Sequence, residues 1–309
     1  MDTESQDPVV VALSSLVPAG VDRGRLTRES GRQLRWVAAG SATPPVVLVS
    51  GAGEVGLDWA VVLPSLAETS RVIAYDRAGL GASDPTSRLT LDSQVRDLVA
   101  LLDDVGPAVL VGHSWGGLLA QLAAFARPDQ TLGLVLLDPF HEDSTAEVPL
   151  ALRVSSNLLF NAIPVLKTIG LFDRIAANMG RTLAERCTDD LEIRALITEA
   201  YRVSYRTFGQ VRTIRAENRL ANTCTREVRA ARATSTAPDV PMRILTATRG
   251  KPAALRQRSG ALADQTAAVF ARGVHVVVPD SGHYIHKDQP AAVVEAVRAV
   301  LAQVDRDTR

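Results

Sequence analysis

Six short, almost uninterrupted aliphatic runs set the narrowest limit on the fold: PVVLVS (45–50), RVIAYD (71–76), AVLVGH (108–113), LGLVLLD (132–138), MRILTA (242–247) and GVHVVV (273–278). Runs this short with no polar alternation suit strands buried on both faces, as in a parallel sheet covered by helices. Between them the apolar period changes to three and four. Leu91, Val95, Leu98 and Leu101 share one face, and so do Leu118, Leu119, Leu122 and Phe125 before Pro128. Val293, Val294, Val297, Val300 and Leu301 follow Pro290, which suits a first helical turn. Strands alternating with helices predict an α/β fold with a mostly parallel central sheet flanked by helices.

RLTRESGRQLRWVAAG reads as two strands turning at Ser30-Gly31, and the first twenty residues read as a loose arm. The alternation stops between Phe140 and Asp239. There LLFNAIPVLKTIGLFDRI and LEIRALITEAYRVSYRTFGQV carry helical spacing without buried strands. The expected organisation is a core over 1–139 and 240–309, with a helical cap over 140–239 inserted after the sixth strand.

Composition excludes several classes. The 309 residues hold 34 basic and 34 acidic side chains, so net charge is zero and no electrostatic footprint for nucleic acid arises. Cys187 and Cys224 are the only cysteines, too few for a disulfide framework or a zinc cluster. No run is long enough for a membrane span, and MDTESQDPVV lacks the pattern of a secretory signal. The expectation is a soluble cytoplasmic protein with no cofactor and no metal. A homodimer is left open.

Gly112-His113-Ser114-Trp115-Gly116 fits G-x-S-x-G, with an aliphatic strand before it and a helix after it. A turn that tight needs glycines because flanking side chains would meet backbone. A serine hydroxyl attacks only when a base takes its proton. Of five histidines, His113 belongs to the turn itself, His275 lies within a strand, and His141 follows one. His283 and His286 stand in PDSGHYIHKDQP, between the last strand and last helix. His283 is the better base, since that loop can lean over the sheet.

The base requires a carboxylate to orient it. Val240 through Ala263 contains no Asp or Glu, so the loop after MRILTA cannot supply one. Asp138, at the end of LGLVLLD, can, with Glu142 and Asp143 as alternatives. Trp115 N–H and Ala52 N–H, the latter in the glycine-rich SGAGEVG, are the candidate oxyanion donors. Tyr201, Tyr205 and Phe208 form an aromatic stripe, read either as core packing of the cap or as the lining of an acyl pocket.

VVLVSGAG, YDRAGLGASD, VLVGHSWGGLLAQLAA, GLVLLDP and DSGHYIHKDQP together resemble the α/β-hydrolase superfamily with a helical cap, particularly its esterase, haloperoxidase-like and dehalogenase-like members. The resemblance covers roughly 32–139 and 240–305. It implies Ser114 as nucleophile, His283 as base, and Ala52 and Trp115 as oxyanion donors. Ser50 departs from the histidine usual before the first glycine of the oxyanion loop, and the acid is absent from its commoner place after the seventh strand. A serine nucleophile, in place of the aspartate of dehalogenases and epoxide hydrolases, argues against both those reactions. The expected function is hydrolysis of an ester, thioester or related acyl bond in a small-molecule substrate. Acyl transfer or cyclisation by the same triad, and ligand binding without turnover, are the alternatives.

Overall fold

The computed structural model describes residues 7–28, 31–144 and 150–307. Strands β1 (Asp22–Thr27) and β2 (Gln33–Ala39) pair antiparallel, though Ser30 in the turn between them lies outside the described residues. The six aliphatic runs become β3 (Val46–Val49), β4 (Val72–Asp76), β5 (Ala108–His113), β6 (Thr131–Leu137), β7 (Pro241–Ala247) and β8 (Arg272–Val278). They form one sheet in the order β1-β2-β4-β3-β5-β6-β7-β8, and only β2 runs against its neighbours.

The runs of β3 to β7 work because both faces of the sheet are covered there; β8, at the sheet edge, is the exception and leaves Val274 and Val277 exposed. Val46 and Leu48 enter one core with Trp59, Leu63, Val297 and Val300, while Val47 and Val49 enter the other with Leu98, Leu118, Leu122 and Phe270. Successive side chains therefore serve opposite layers, and neither face tolerates a polar alternate.

The helices in chain order are α1 (Pro8–Ser14), α2 (Leu63–Ala67), α3 (Leu91–Val105), α4 (Trp115–Ala126), α5 (Leu150–Thr168), α6 (Leu171–Cys187), α7 (Leu191–Ser204), α8 (Phe208–Thr223), α9 (Thr225–Thr234), α10 (Ala253–Val269), α11 (Ile285–Asp288) and α12 (Pro290–Asp307). Helix α3 begins at Thr90, whose hydroxyl accepts the Ser93 N–H while the Ser93 hydroxyl accepts the Thr90 N–H. None of the helices among the described residues is long and apolar enough to cross a membrane.

Two local readings change, and one helix, α10, has no counterpart in the sequence pattern. The amino-terminal stretch is not a loose arm from residue 7 onward; its first six residues lie outside the described residues. Asp7 caps α1, whose Ala12 and Leu13 are buried, and the helix packs on α7. Seven residues are too few to display a period. The two long helical runs after β6 fall on four helices, α5 to α8, and a fifth, α9, follows them before β7. The first run breaks at Gly170, with φ of 73°, and the second where Thr207 caps α8 through Gln210. Helix α10 has only Leu262, Ala263, Thr266 and Ala267 buried, too faint a stripe to stand out in the sequence.

Strand order places the site. From β3 the chain crosses to β4 on one side, and β5 lies on the other, so the carboxyl ends of β3 and β5 flank a switch point. Loops leaving two such strands part in opposite directions and open a crevice between them. Ser50 through Glu54 leave β3 there, and Ser114 leaves β5.

Candidate active site

Ser114 stands between β5 and α4 with φ 50° and ψ −116°, a conformation that a residue with a side chain adopts only under constraint. The constraint is visible. Ser114 N–H donates to Leu137 C=O at 3.0 Å, and Ser114 C=O accepts Phe140 N–H at 2.9 Å. The turn is pinned to the end of β6 on both sides. A Cβ on Gly116 would lie 2.1 Å from Val49 O and 2.5 Å from Ser50 O, and one on Gly112 would lie 2.5 Å from Gly116 O. The glycines of the motif are there for close approach, and they seat the start of α4 against the β3 loop.

Asp138, one residue beyond β6, has φ 41°; its N–H donates to Leu245 C=O at 2.7 Å. Its carboxylate receives His283 Nδ1 at 2.7 Å, Lys251 Nζ at 2.6 and 2.8 Å, and Ala247 N–H at 3.2 Å. Burial by itself raises the pKa of this carboxyl. The His283 hydrogen bond and the Lys251 charge outweigh burial and bring it down to about 2. Of the three carboxylates weighed from the sequence, Asp138 is the one that meets His283. Glu142 faces Arg232 at 2.9 Å and Asp143 pairs with Arg229.

A carboxylate on His283 Nδ1 favours the tautomer with its proton there and a lone pair on Nε2. Ser114, Asp138, His283 and Lys251 line one cavity of about 190 Å³. Phe140, His141, Ile244, Ser259 and Leu262 complete much of its wall, and no described residue of α5 through α9 does.

The β3 loop is held almost group by group. Gly51 N–H donates to Glu54 Oε2 at 2.6 Å and Gly53 N–H to Glu217 Oε2 at 2.6 Å. Arg77 donates to Ser50 C=O at 2.5 Å and to Gly51 C=O at 2.6 Å. Ala52 N–H, between two committed amides, has no hydrogen-bond partner among the described residues. Trp115 N–H opens α4, where the first amides have no carbonyl within the helix to bond.

The aromatic stripe does not line the cavity. Tyr201 and Tyr205 are buried; their hydroxyls donate to Asp58 Oδ1 at 3.1 Å and to Gly53 C=O at 2.9 Å. Phe208 begins a different helix and is 50% exposed. The spacing of the three aromatics crosses the break between α7 and α8.

The other histidines have separate places. His113 is buried behind the site, its Nδ1 2.7 Å from Glu54 Oε2 and its Nε2 3.0 Å from His283 C=O. His275 meets Thr246 Oγ1 and Asp264, each at 2.8 Å. His286 is fully buried against Trp59 and His113, with neither ring nitrogen hydrogen-bonded. Burial holds its pKa well below the usual imidazole value.

Among the described residues, two groups bring ligand atoms close enough for a metal: Glu54 with His113 and His286, and His141 with Glu142 and Asp143. Their carboxylates already face cations: Lys287 at Glu54, Arg232 at Glu142 and Arg229 at Asp143. Burial raises the Glu54 pKa, and the charges of His113 and Lys287 more than reverse that, keeping it well below the ordinary value.

Residues 46–296 match the model of the alpha/beta hydrolase family. The chain belongs to that family. Among similar alpha/beta hydrolases, epoxide hydrolase 4 of Homo sapiens is 31% identical over 188 residues, 53% of this chain and 51% of its own length. Lipase LipV of Mycobacterium tuberculosis is 44% identical over 96 residues, 30% of this chain and 36% of its own. The chain thus spans about half the length of the first of these relatives. The solved structure of epoxide hydrolase CorEH without ligand superimposes with a TM-score of 0.68 at 22% identity, covering 92% of this chain and 99% of that one. This last likeness is one of fold.

Lys251, Gln94, Arg77 and Glu217 were not readable as parts of an alpha/beta hydrolase site. Lys251 had one faint signal: it lies in the carboxylate-free loop after β7, where the missing acid would stand. Glu217 is 164 residues from the glycine it binds, and nothing local marks it.

Proposed function

We propose that this alpha/beta hydrolase is a serine hydrolase that cleaves an ester, thioester or related acyl bond of a small molecule. The observation that carries the reading is the Asp138–His283 hydrogen bond of 2.7 Å opening onto the same cavity as the strained Ser114. Relatives named as epoxide hydrolases and as a lipase leave the bond type open. Serine at the elbow favours acyl chemistry, because its alkoxide attacks a carbonyl and departs again from an acyl-enzyme.

In this reading His283 Nε2 takes the Ser114 hydroxyl proton as Oγ bonds to the carbonyl carbon. The carbonyl oxygen becomes an oxyanion, and the Ala52 and Trp115 amides receive it. The tetrahedral intermediate expels an alcohol or thiol, which leaves with the proton from His283. Water then repeats the sequence on the acyl-enzyme, and the carboxylic acid departs as Ser114 regains its proton. Asp138 keeps Nδ1 protonated and stabilises the imidazolium in both halves.

A fluorophosphonate probe tests the assignment. Wild type is expected to label covalently and to turn over an activated ester, and Ser114→Ala to do neither. Equal labelling of the two proteins would end the serine reading. Products formed with an added alcohol or amine would show acyl transfer in place of hydrolysis.

A further inference from the structure

Gly53 is gripped through both of its backbone groups by helices inserted between β6 and β7. Its N–H donates to Glu217 of α8 at 2.6 Å, and its C=O accepts the Tyr205 hydroxyl, at the end of α7, at 2.9 Å. Glu217 is fully buried. Its other partners lead back to the same place. Arg77 Nε and Nη2 reach it at 2.7 and 2.9 Å while the same guanidinium holds Ser50 and Gly51 carbonyls. Gln94 Nε2 reaches Glu217 Oε1 at 2.6 Å, and Gln94 Oε1 accepts the Trp115 indole N–H at 2.8 Å. One buried carboxylate is thus tied to the glycines on either side of Ala52, directly at Gly53 and through Arg77 at Gly51, and through Gln94 to the Trp115 indole.

A buried ion pair is a poor way to gain stability, since desolvation offsets most of the attraction and apolar packing does as well. Here, beyond their mutual contacts, Arg77 holds the Ser50 and Gly51 carbonyls and Glu217 holds the Gly53 amide and Gln94, so most of the pair's bonding goes to one five-residue loop and to the side chain that holds Trp115. We propose that Glu217 and Tyr205 are positioning residues that hold Gly53 so that the Ala52 N–H, left without a partner, faces the developing oxyanion. The proposal rests on the serine-hydrolase reading. Neither side chain lines the cavity with Ser114, so both act through the loop.

An oxyanion donor bonds the transition state more strongly than the ground state, so displacing it lowers the chemical rate and leaves ground-state affinity alone. The test measures fluorophosphonate labelling as a saturating rate constant, kinact, and a half-saturating concentration, KI, for wild type, Glu217→Gln, Tyr205→Phe and Ser114→Ala. Loss of a whole oxyanion donor costs on the order of 100-fold or more, so a donor displaced but present is expected to cost about 10-fold to 100-fold in Glu217→Gln and about 3-fold to 10-fold in Tyr205→Phe. KI stays unchanged in both. Circular dichroism checks the fold, because Glu217→Gln leaves the Arg77 charge buried beside a neutral group. If that variant does not fold, Tyr205→Phe decides alone, since it removes one hydroxyl and keeps the ring. Wild-type kinact in a folded Tyr205→Phe, or a change confined to KI, overturns the proposal while Ser114→Ala still reports the nucleophile. Labelling of Ser114→Ala at the wild-type rate ends the serine reading, and the loop proposal falls with it.

Discussion

Replacing Asp138 with asparagine probes the candidate triad through stability as well as rate. The carboxylate is almost buried and holds His283 at 2.7 Å and Lys251 at 2.6 Å. Burial raises its pKa, but those two partners prevail and move it from 3.8 to about 2. A carboxyl whose folded pKa lies below its unfolded one contributes stability above the unfolded value, and loses it as pH falls through the folded value. For this pair of values the contribution is about 2 kcal/mol at pH 5 and about 1 kcal/mol at pH 3. Urea denaturation of wild type and Asp138→Asn at both pH values reads it directly. Working below pH 5 keeps ordinary histidine titration out of the comparison. The stability gap between the proteins is expected to narrow by about 1 kcal/mol on acidification. A part of the gap independent of pH remains, from the lost carboxylate partner of Lys251. A gap of constant size would mean that Asp138 is not held ionised by its neighbours, and the electrostatic account of the site would be wrong. Turnover should fall in the same variant by a factor on the order of 10⁴, because an amide does not keep the imidazole in its working tautomer.

Other outcomes follow from particular contacts. His286 is buried with no hydrogen-bond partner, and its pKa is depressed, so the unfolded chain binds a proton that the folded protein refuses. Wild type should lose more stability between pH 7 and pH 5 than His286→Phe does, as read by urea denaturation; parallel losses would contradict a neutral buried imidazole. Gly116→Ala places a methyl 2.1 Å from Val49 O, against backbone that cannot yield. That variant should be recovered as insoluble or unfolded protein, and a folded, active Gly116→Ala would refute the packing given for the elbow. Lys251→Met leaves Asp138 with His283 but without its ammonium partner, and should cost about 1–3 kcal/mol at pH 7 by the same denaturation assay. An unchanged midpoint would make the contact a surface pair of no consequence.

Much of the site was legible because it depends on local necessity. The elbow needs a strand, two close-approach glycines and a helix, all within ten residues of Ser114. Asp138 was reachable by elimination, since the loop after β7 has no carboxylate to offer. Of the two readings of the aromatic stripe, core packing fits the buried Tyr201 and Tyr205, whereas Phe208 falls outside it because the period of three and four continues although the helix stops at Ser204. A capped restart at Thr207 with Gln210 was the available warning.

The sequence alone determined the strands, the flanking helices α3, α4 and α12, and the identity of Ser114, His283 and Asp138 as candidates. Those depend on side-chain size, period and turn sterics, which act between neighbours in the chain. Only the tertiary structure decided what surrounds them. Lys251 on Asp138, Glu217 on Gly53 and Gln94 between Glu217 and Trp115 join residues 113, 164, 123 and 21 positions apart. A buried polar group must find a partner of matching chemistry, but the chain leaves open which one, and the packing of α8 and the β7 loop against the switch point selects it.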